Sequence, residues 1–210
     1  MTPADWDAVA LSLRVAVAAT ALALVPGVGA GWFLARSRSR LRGPVELAVM
    51  LPLVVPPVVT GYALLLVLPR GVAFTAAAAV VASAVVGFPL LVQAVRVGVE
   101  AVDPDVVGAA RADGAGRWAL ARHVALPLAA PAVAAGCALH FARALGEFGA
   151  TVVVAGNIPG RTQTLPLALY ARLSGVGGEG AALRLAAVSV VVAAASLVAY
   201  RWLLRRWGPA

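Results

Sequence analysis

Gly108-Ala-Ala-Arg-Ala-Asp-Gly-Ala-Gly-Arg-Trp-Ala-Leu-Ala-Arg-His-Val-Ala-Leu-Pro127 is the longest stretch of the chain that is neither strongly apolar nor an obvious tight turn. Long hydrophobic runs flank it on both sides. Asp105 to Ala112 reads as a short helix, with the small Ala109 and Ala110 together on one part of its surface. Gly114 and Gly116 are expected to stop that helix, because glycine takes the left-handed conformation that ends helices at little cost. A second amphipathic piece, Arg117 to Val124, leads into Leu126-Pro127, and a proline suits the first turn of the helix that follows. A short exposed helix with tiny side chains can be clasped closely by a partner protein.

The surroundings of this stretch are those of a membrane protein. The 210 residues are 62% hydrophobic and 12% charged, with a mean hydropathy of +0.93. A soluble domain has about 45–50% and about 25%, so the excess apolar surface is expected to face lipid. A net charge of +8 would suggest nucleic acid in a soluble chain. No basic stretch is interleaved with stacking aromatics, as single-strand binding surfaces require, and no nucleic-acid partner is expected. All 17 basic residues are arginine. The lack of lysine excludes a P-loop, whose lysine reaches the nucleotide phosphates, and Schiff-base chemistry. Cys137 is the only cysteine, which excludes an internal disulfide and a multi-cysteine metal site. Met1 to Asp7 carries two acids and no basic residue, unlike the start of a cleavable signal peptide.

Five runs are long enough to span a bilayer, for which about 20 residues suffice. They fall at about Val9–Ala35, Val45–Leu68, Val72–Val95, Leu128–Val154 and Ala181–Leu204. The first contains Gly27 and Gly31 at the G-x-x-x-G spacing that lets another helix approach closely. The second holds Pro52, Pro56 and Pro57, then Thr60. Proline inside a helix bends or breaks it, and in a membrane such breaks are tolerated where protein or a watery cavity covers the freed carbonyls. Leu51–Gly61 therefore marks either the lining of a pathway or a tight packing kink. The polar segment between the third and fourth runs spans Arg96 to Arg122, and a short helix is expected around Leu165–Leu173 in the last loop.

Orientation follows from arginine counts. The loop 36–42, the central loop and the C-terminal end carry eleven, against three at Arg70, Arg161 and Arg172. Positive residues collect on the cytoplasmic side, so the N-terminus is expected outside and the C-terminus in the cytoplasm. Trp6, Trp32, Trp202 and Trp207 fall near the expected interfaces, as an aromatic belt should.

The fourth run is unusual in holding His140, Arg143 and Glu147. Arg143 and Glu147 are four apart, which on one helix gives them one face. Ionisable groups inside a membrane pair with each other or line a water-filled route, and the spacing serves either purpose. With Cys137 and His140 the run has too few ligands for a metal, and none is expected. Leu173-Ser-Gly-Val-Gly177 resembles the signature of transport ATPases only superficially, and no catalytic set such as H-E-x-x-H or G-x-S-x-G occurs.

Two motifs carry a family resemblance. Ala109-Ala110, three residues, Gly114, nine residues, then Val124-Ala-Leu-Pro127 resembles the EAA loop of ABC importer permeases, with Gly108 in place of its glutamate. Phe141-Ala-Arg-Ala-Leu-Gly-Glu-Phe-Gly-Ala-Thr151 is similar to the following segment in the sulfate/molybdate group, as is Leu51-Pro-Leu-Val-Val-Pro-Pro-Val-Val-Thr-Gly-Tyr62. Gly156-Asn-Ile-Pro-Gly-Arg-Thr-Gln-Thr-Leu-Pro166, Tyr170 and Gly177-Gly-Glu-Gly180 look most like the molybdate branch. The resemblance implies an all-α permease of the type I ABC importer fold, about five transmembrane helices in a single domain over 1–210. Its coupling loop would be 96–127, cytoplasmic, and its loop 155–180 extracytoplasmic.

The implied function is the multi-pass permease subunit, in the cell inner membrane, of a binding-protein-dependent importer of an oxyanion: molybdate, with sulfate or tungstate as alternatives. Implied partners are an ABC ATPase, an extracytoplasmic binding protein, membrane lipid and a second copy of this permease. Coupling to the ATPase would fall to Ala109, Ala110, Asp113, Gly114, Val124, Leu126 and Pro127. The candidate route residues are Pro56, Pro57, Thr60, Arg143 and Glu147. The chain is not expected to be an enzyme or to bind a cofactor, ATP and magnesium belonging to the ATPase. A self-contained secondary transporter or channel would explain the apolar runs and Glu147 but not the EAA spacing. An intramembrane enzyme would need the catalytic set that is missing.

Overall fold

The computed structural model describes residues 2–175 and 178–207, without the side chains of 117 and 202–207. Gly177, and the side chains of Arg117, Trp202, Arg205, Arg206 and Trp207, therefore lie outside the described residues. All regular elements among the described residues are helical.

Helix α1 (Pro3–Arg36) opens on a reciprocal cap: Asp5 N donates to Thr2 Oγ1 and Thr2 N to Asp5 Oδ2. It packs along α4 (Ala76–Glu100), and the two run in the same direction. Val15 lies with Ala78, Ala79 and Ala82, Ala19 with Ala84, and Ala23 with Leu91 and Val95. The G-x-x-x-G spacing is what permits this. A Cβ on Gly27 would stand 2.6 Å from Leu91 Cδ2, and one on Gly31 2.7 Å from Val95 Cβ and 2.9 Å from the Val92 carbonyl. Helix α7 (Leu126–Leu145) packs antiparallel to α4 and touches α1 as well, with Gly136 against Leu91 and Ala94 and Ala144 beside Ala16 and Ala19.

Between α1 and α4 the chain returns as α2 (Arg42–Val54) and α3 (Pro57–Val67), bent by 115° at the break. A residue before proline is pushed out of the helical region. Two prolines in succession apply this twice, so Val55 (ψ 135°) and Pro56 (ψ 133°) are both extended. The single Pro26, Pro52, Pro89 and Pro131 leave their helices continuous. At one end Arg42 and Glu46 meet Glu100 and Arg96 of α4, while at the other Leu64, Leu65 and Leu68 pack against the cluster of Val15 and Ala78. The bent pair thus crosses the bundle as one broken span.

Helix α10 (Glu179–Trp207) runs parallel to α1, Leu185 packing with Ala8 and Val9, and Val192 beside Ala16 and Ala19. Five crossings place the two termini at opposite ends of the bundle.

Three expected boundaries differ. The third span begins at Ala76 rather than Val72, because 69–75 form a turn in which Phe74 (φ 59°) donates its N–H to the Val154 carbonyl. That helix continues to Glu100, so Arg96 is helical and pairs with Glu46 (2.6 Å) and Glu100 (3.0 Å). The fourth run is not one helix: α7 stops at Leu145, and α8 (Gly149–Val154) follows a three-residue break.

The glycine contacts separate two substitutions of identical chemistry. Gly31→Ala should destabilise by about 1–3 kcal/mol through overpacking against α4. Gly29→Ala, with open space around its Cβ, should gain roughly 0.5–1 kcal/mol of helix propensity. Thermal unfolding of the detergent-purified variants checks both signs.

Candidate functional site: a coupling loop and two broken helices

In the central loop, Asp103 Oδ1 accepts from Asp105 N at 2.8 Å and Pro104 occupies the first turn of α5 (Pro104–Ala112). The other end closes by two crossed bonds, Ala115 N to the Ala110 carbonyl (2.9 Å) and Gly114 N to the Arg111 carbonyl (3.0 Å). This Schellman closure requires a left-handed residue after the cap, and Gly114 supplies it at φ +85°. Gly116 does not share that conformation; its carbonyl accepts from Leu120 N at 2.9 Å and opens α6 (Arg117–Leu120). The expected amphipathic piece thus becomes α6 and a π-helical turn, Ala121–Ala125, that runs directly into α7 with Pro127 in its first turn.

The inner face of α5 is fastened. Val107 is buried with Leu120 and Ala125, and Ala110, Ala115, Val124 and Trp32 of α1 pack around them. Ala109 and Ala110 consequently do not share one environment: Ala109 is exposed, whereas Ala110 turns inward. Asp113, Gly114 and Pro127 are exposed, and Leu126 is half-buried. A Cβ at Gly108 would meet nothing, so the missing glutamate leaves an open position on the exposed surface.

The second assembly lies where the two breaks meet. A Cβ on Gly149 would stand 2.9 Å from Pro57 Cβ, and one on Gly61 2.7 Å from the Ala150 carbonyl. The start of α3 and the start of α8 are therefore pressed together with backbone nearly touching. Thr60 is buried in this contact region. Glu147 does not continue α7, whose cap is Gly146. It lies in the break, almost wholly buried, and its Oε1 accepts from Ala150 N at 2.7 Å, capping α8. Its Oε2 lies 2.6 Å from Arg143 Nη1, a charge contact without hydrogen-bond alignment. The Arg143 side chain remains 29% exposed against 1% for Glu147. Pro57 and Glu147 are brought to one junction, and Pro56 forms its rim as the cap of α3.

One polar contact of the bundle could not be paired from sequence. His140 of α7 is fully buried, its Nδ1 3.0 Å from Thr20 Oγ1 of α1 and its Nε2 3.2 Å from the Ala84 carbonyl of α4. Gly87 makes the room, since a Cβ there would stand 2.8 Å from the ring. Both nitrogens are engaged in tying three helices together. A histidine in an apolar run was the available signal, but its partners are 120 and 56 residues away.

A bundle of five crossings with a docking-sized helix between two of them is the architecture of a membrane permease, and the comparisons agree. The family model described as binding-protein-dependent transport system inner membrane component matches residues 27–209. The chain is 41% identical over 219 aligned positions to the molybdenum transport system permease protein ModB of Escherichia coli (strain K12), covering 98% of this chain and 96% of that protein. It is 38% identical to the ModB protein of Haemophilus influenzae, covering 95% and 93%. In fold it is similar to the solved inward-facing MetNI methionine ABC transporter, with a TM-score of 0.80 over the whole of both chains at 16% identity. The chain belongs to the family of inner membrane components of binding-protein-dependent transport systems.

The burial asymmetry of the ion pair orders its mutants. Arg143→Gln strands a buried carboxylate and should cost roughly 3–5 kcal/mol. Glu147→Gln keeps an oxygen for Ala150 N and leaves an arginine that reaches water, so its cost should be nearer about 1–2 kcal/mol. The double glutamine variant should recover most of the loss. Membrane level and thermal unfolding of the three variants read the order directly.

Proposed function

We propose that this chain is the membrane-spanning subunit of an ATP-driven importer of molybdate. The observation that carries the reading is similarity over nearly the full length to proteins named as molybdenum transport permeases. Two copies would enclose the route, one ATPase would dock on each, and an extracytoplasmic binding protein would deliver the anion. The end that bears α5 is the cytoplasmic one in this reading, because arginine is concentrated there. The single domain then comprises the spans, the coupling loop 96–127 and the extracytoplasmic loop 155–180.

ATP and magnesium are held by the ATPase. Its closure moves α5 through Ala109, Asp113 and Gly114, whose exposed positions support a docking role. Ala110 and Val124 form the inner side of the same unit, and Leu126 and Pro127 connect it to α7. The route is assigned to the junction of the two breaks, where Arg143 is the cation that attracts an oxyanion and Glu147 is the group that holds it in place. Pro56, Pro57 and Thr60 form the facing wall.

Uptake of radiolabelled molybdate into cells lacking their own transporter tests this, with the chain supplied alongside its ATPase and binding protein. Gly114→Val should abolish uptake at unchanged membrane level, since a β-branched residue at φ +85° carries about 1–3 kcal/mol of strain. Sulfate uptake with no molybdate uptake would overturn the substrate assignment, and normal uptake in Gly114→Val would overturn the docking role.

Orientation has its own test in a Cys137→Ser background. A cysteine at exposed Ser39 should be shielded from an impermeant thiol reagent in intact cells, and one at exposed Arg161 should react. The reverse pattern would invert the topology.

A further inference from the structure

At the α5 end of the bundle a cavity of about 990 Å³ opens between the last turn of α1, the segment leading into α2, and α5. Arg36, Arg38, Arg42 and Arg111 line it together with Trp32 and Phe33, and no carboxylate does. The glutamates of α2 and α4 beside it are already committed. Glu100 is shared by Arg96 (3.0 Å) and Arg42 (3.5 Å), and Glu46 binds Arg96 at 2.6 Å. Those two arginines and two glutamates balance one another. Arg36 donates to the Val99 carbonyl at 3.1 Å, which engages the guanidinium without neutralising it. Among the described residues Arg36, Arg38 and Arg111 pair with no carboxylate. Three uncompensated positive charges thus converge on one cavity.

The position along α1 points to the kind of anion. A helix of 34 residues is about 50 Å long, well beyond the roughly 30 Å of hydrocarbon in a bilayer. Its last turn therefore stands at headgroup level, with Trp32 as an aromatic of the interface. Basic pockets between transmembrane helices at this level bind the phosphates of acidic lipids. The cavity is far larger than one tetrahedral anion needs, and its walls are part apolar, which suits a phosphodiester with its glycerol better than a free ion.

We propose that this cavity binds the headgroup of an anionic phospholipid, its phosphate held by Arg36, Arg38 and Arg111. The site touches α1 and the inner side of α5 at once, so a bound lipid would brace the helix that receives the ATPase. It does not depend on which solute is carried.

Native mass spectrometry of the complete transporter, released from detergent and titrated with cardiolipin, phosphatidylglycerol or phosphatidylcholine, tests the site. The anionic lipids should be retained at least tenfold more tightly than phosphatidylcholine. Arg38→Gln with Arg111→Gln should weaken their retention by about thirtyfold, and Arg38→Gln alone by about fivefold. Arg38 is exposed and lies outside the α5 docking surface, so Arg38→Gln alone should elute as the intact complex, and retention by the double variant is read on its intact fraction. Arg70→Gln with Arg161→Gln, at the opposite end, should change nothing. Equal anionic-lipid retention in the wild type and the Arg38/Arg111 variant would overturn the proposal. So would inorganic phosphate binding the lipid-free complex through the same two arginines while lipid retention ignores them, because the source would then be a free anion.

Discussion

Helix α4 can occupy the centre of this bundle only because glycine faces it wherever a neighbour must come close. Gly27 and Gly31 of α1 and Gly136 of α7 each leave less room than a methyl group needs, and Gly87 of α4 itself admits the His140 ring. In lipid there is no hydrophobic drive to press one helix onto another, so close packing of small surfaces takes over that task. The same proximity lets His140 reach both Thr20 and Ala84. Packing and polar pinning are therefore one arrangement: widen the α1–α4 or α4–α7 approach and the three-helix hydrogen bonds go with it.

The broken elements follow from a second constraint, that backbone groups in a bilayer must find partners within the protein. Pro56-Pro57 frees carbonyls in the last turn of α2, and the Gly146–Phe148 break frees amides at the start of α8. The chain covers each break with the other, Gly61 lying against Ala150 and Gly149 against Pro57. The carboxylate of Glu147 then takes the Ala150 amide, and Arg143 compensates the charge. Glu147 is held by its burial and its cap, while Arg143 retains an exposed flank, an arrangement that fits both readings the sequence left open for this pair.

How much of this was legible in advance depended on whether the determinant was local. The α5 helix, its closure at Gly114, the helix Leu165–Leu173 and the Gly27–Gly31 approach were readable because each rests on residues within a few positions of one another. The α7–α8 break was not readable. Gly146 and Glu147 interrupt the apolar run only briefly, and the arrival of α3 is what makes a non-helical segment there tolerable. The five-span count was right for composition, yet its second span is two helices at 115°. Arg96 was misplaced into a loop because its partners Glu46 and Glu100 lie on α2 and α4, and pairing lets a charge stay helical. Gly116 was misread because a second glycine two residues on is not needed once Gly114 has closed the helix.

The connection of α5 to the bundle decides what a push on it can do. Its two ends are capped by its own backbone and side chains, so it moves as a unit rather than fraying. Its inner face rests on Leu120 and Ala125 ahead of α7 and on Trp32 of α1. Those two helices are the ones that His140 joins to α4. A displacement of α5 would therefore be delivered to the three-helix core as a whole. The first compliant points it meets are the π-helical turn Ala121–Ala125, whose widened ring breaks the regular ladder, and the two breaks further along. The frame is rigid where glycine and histidine lock it and pliable where proline and glycine interrupt it, and the candidate route lies at that second kind of place.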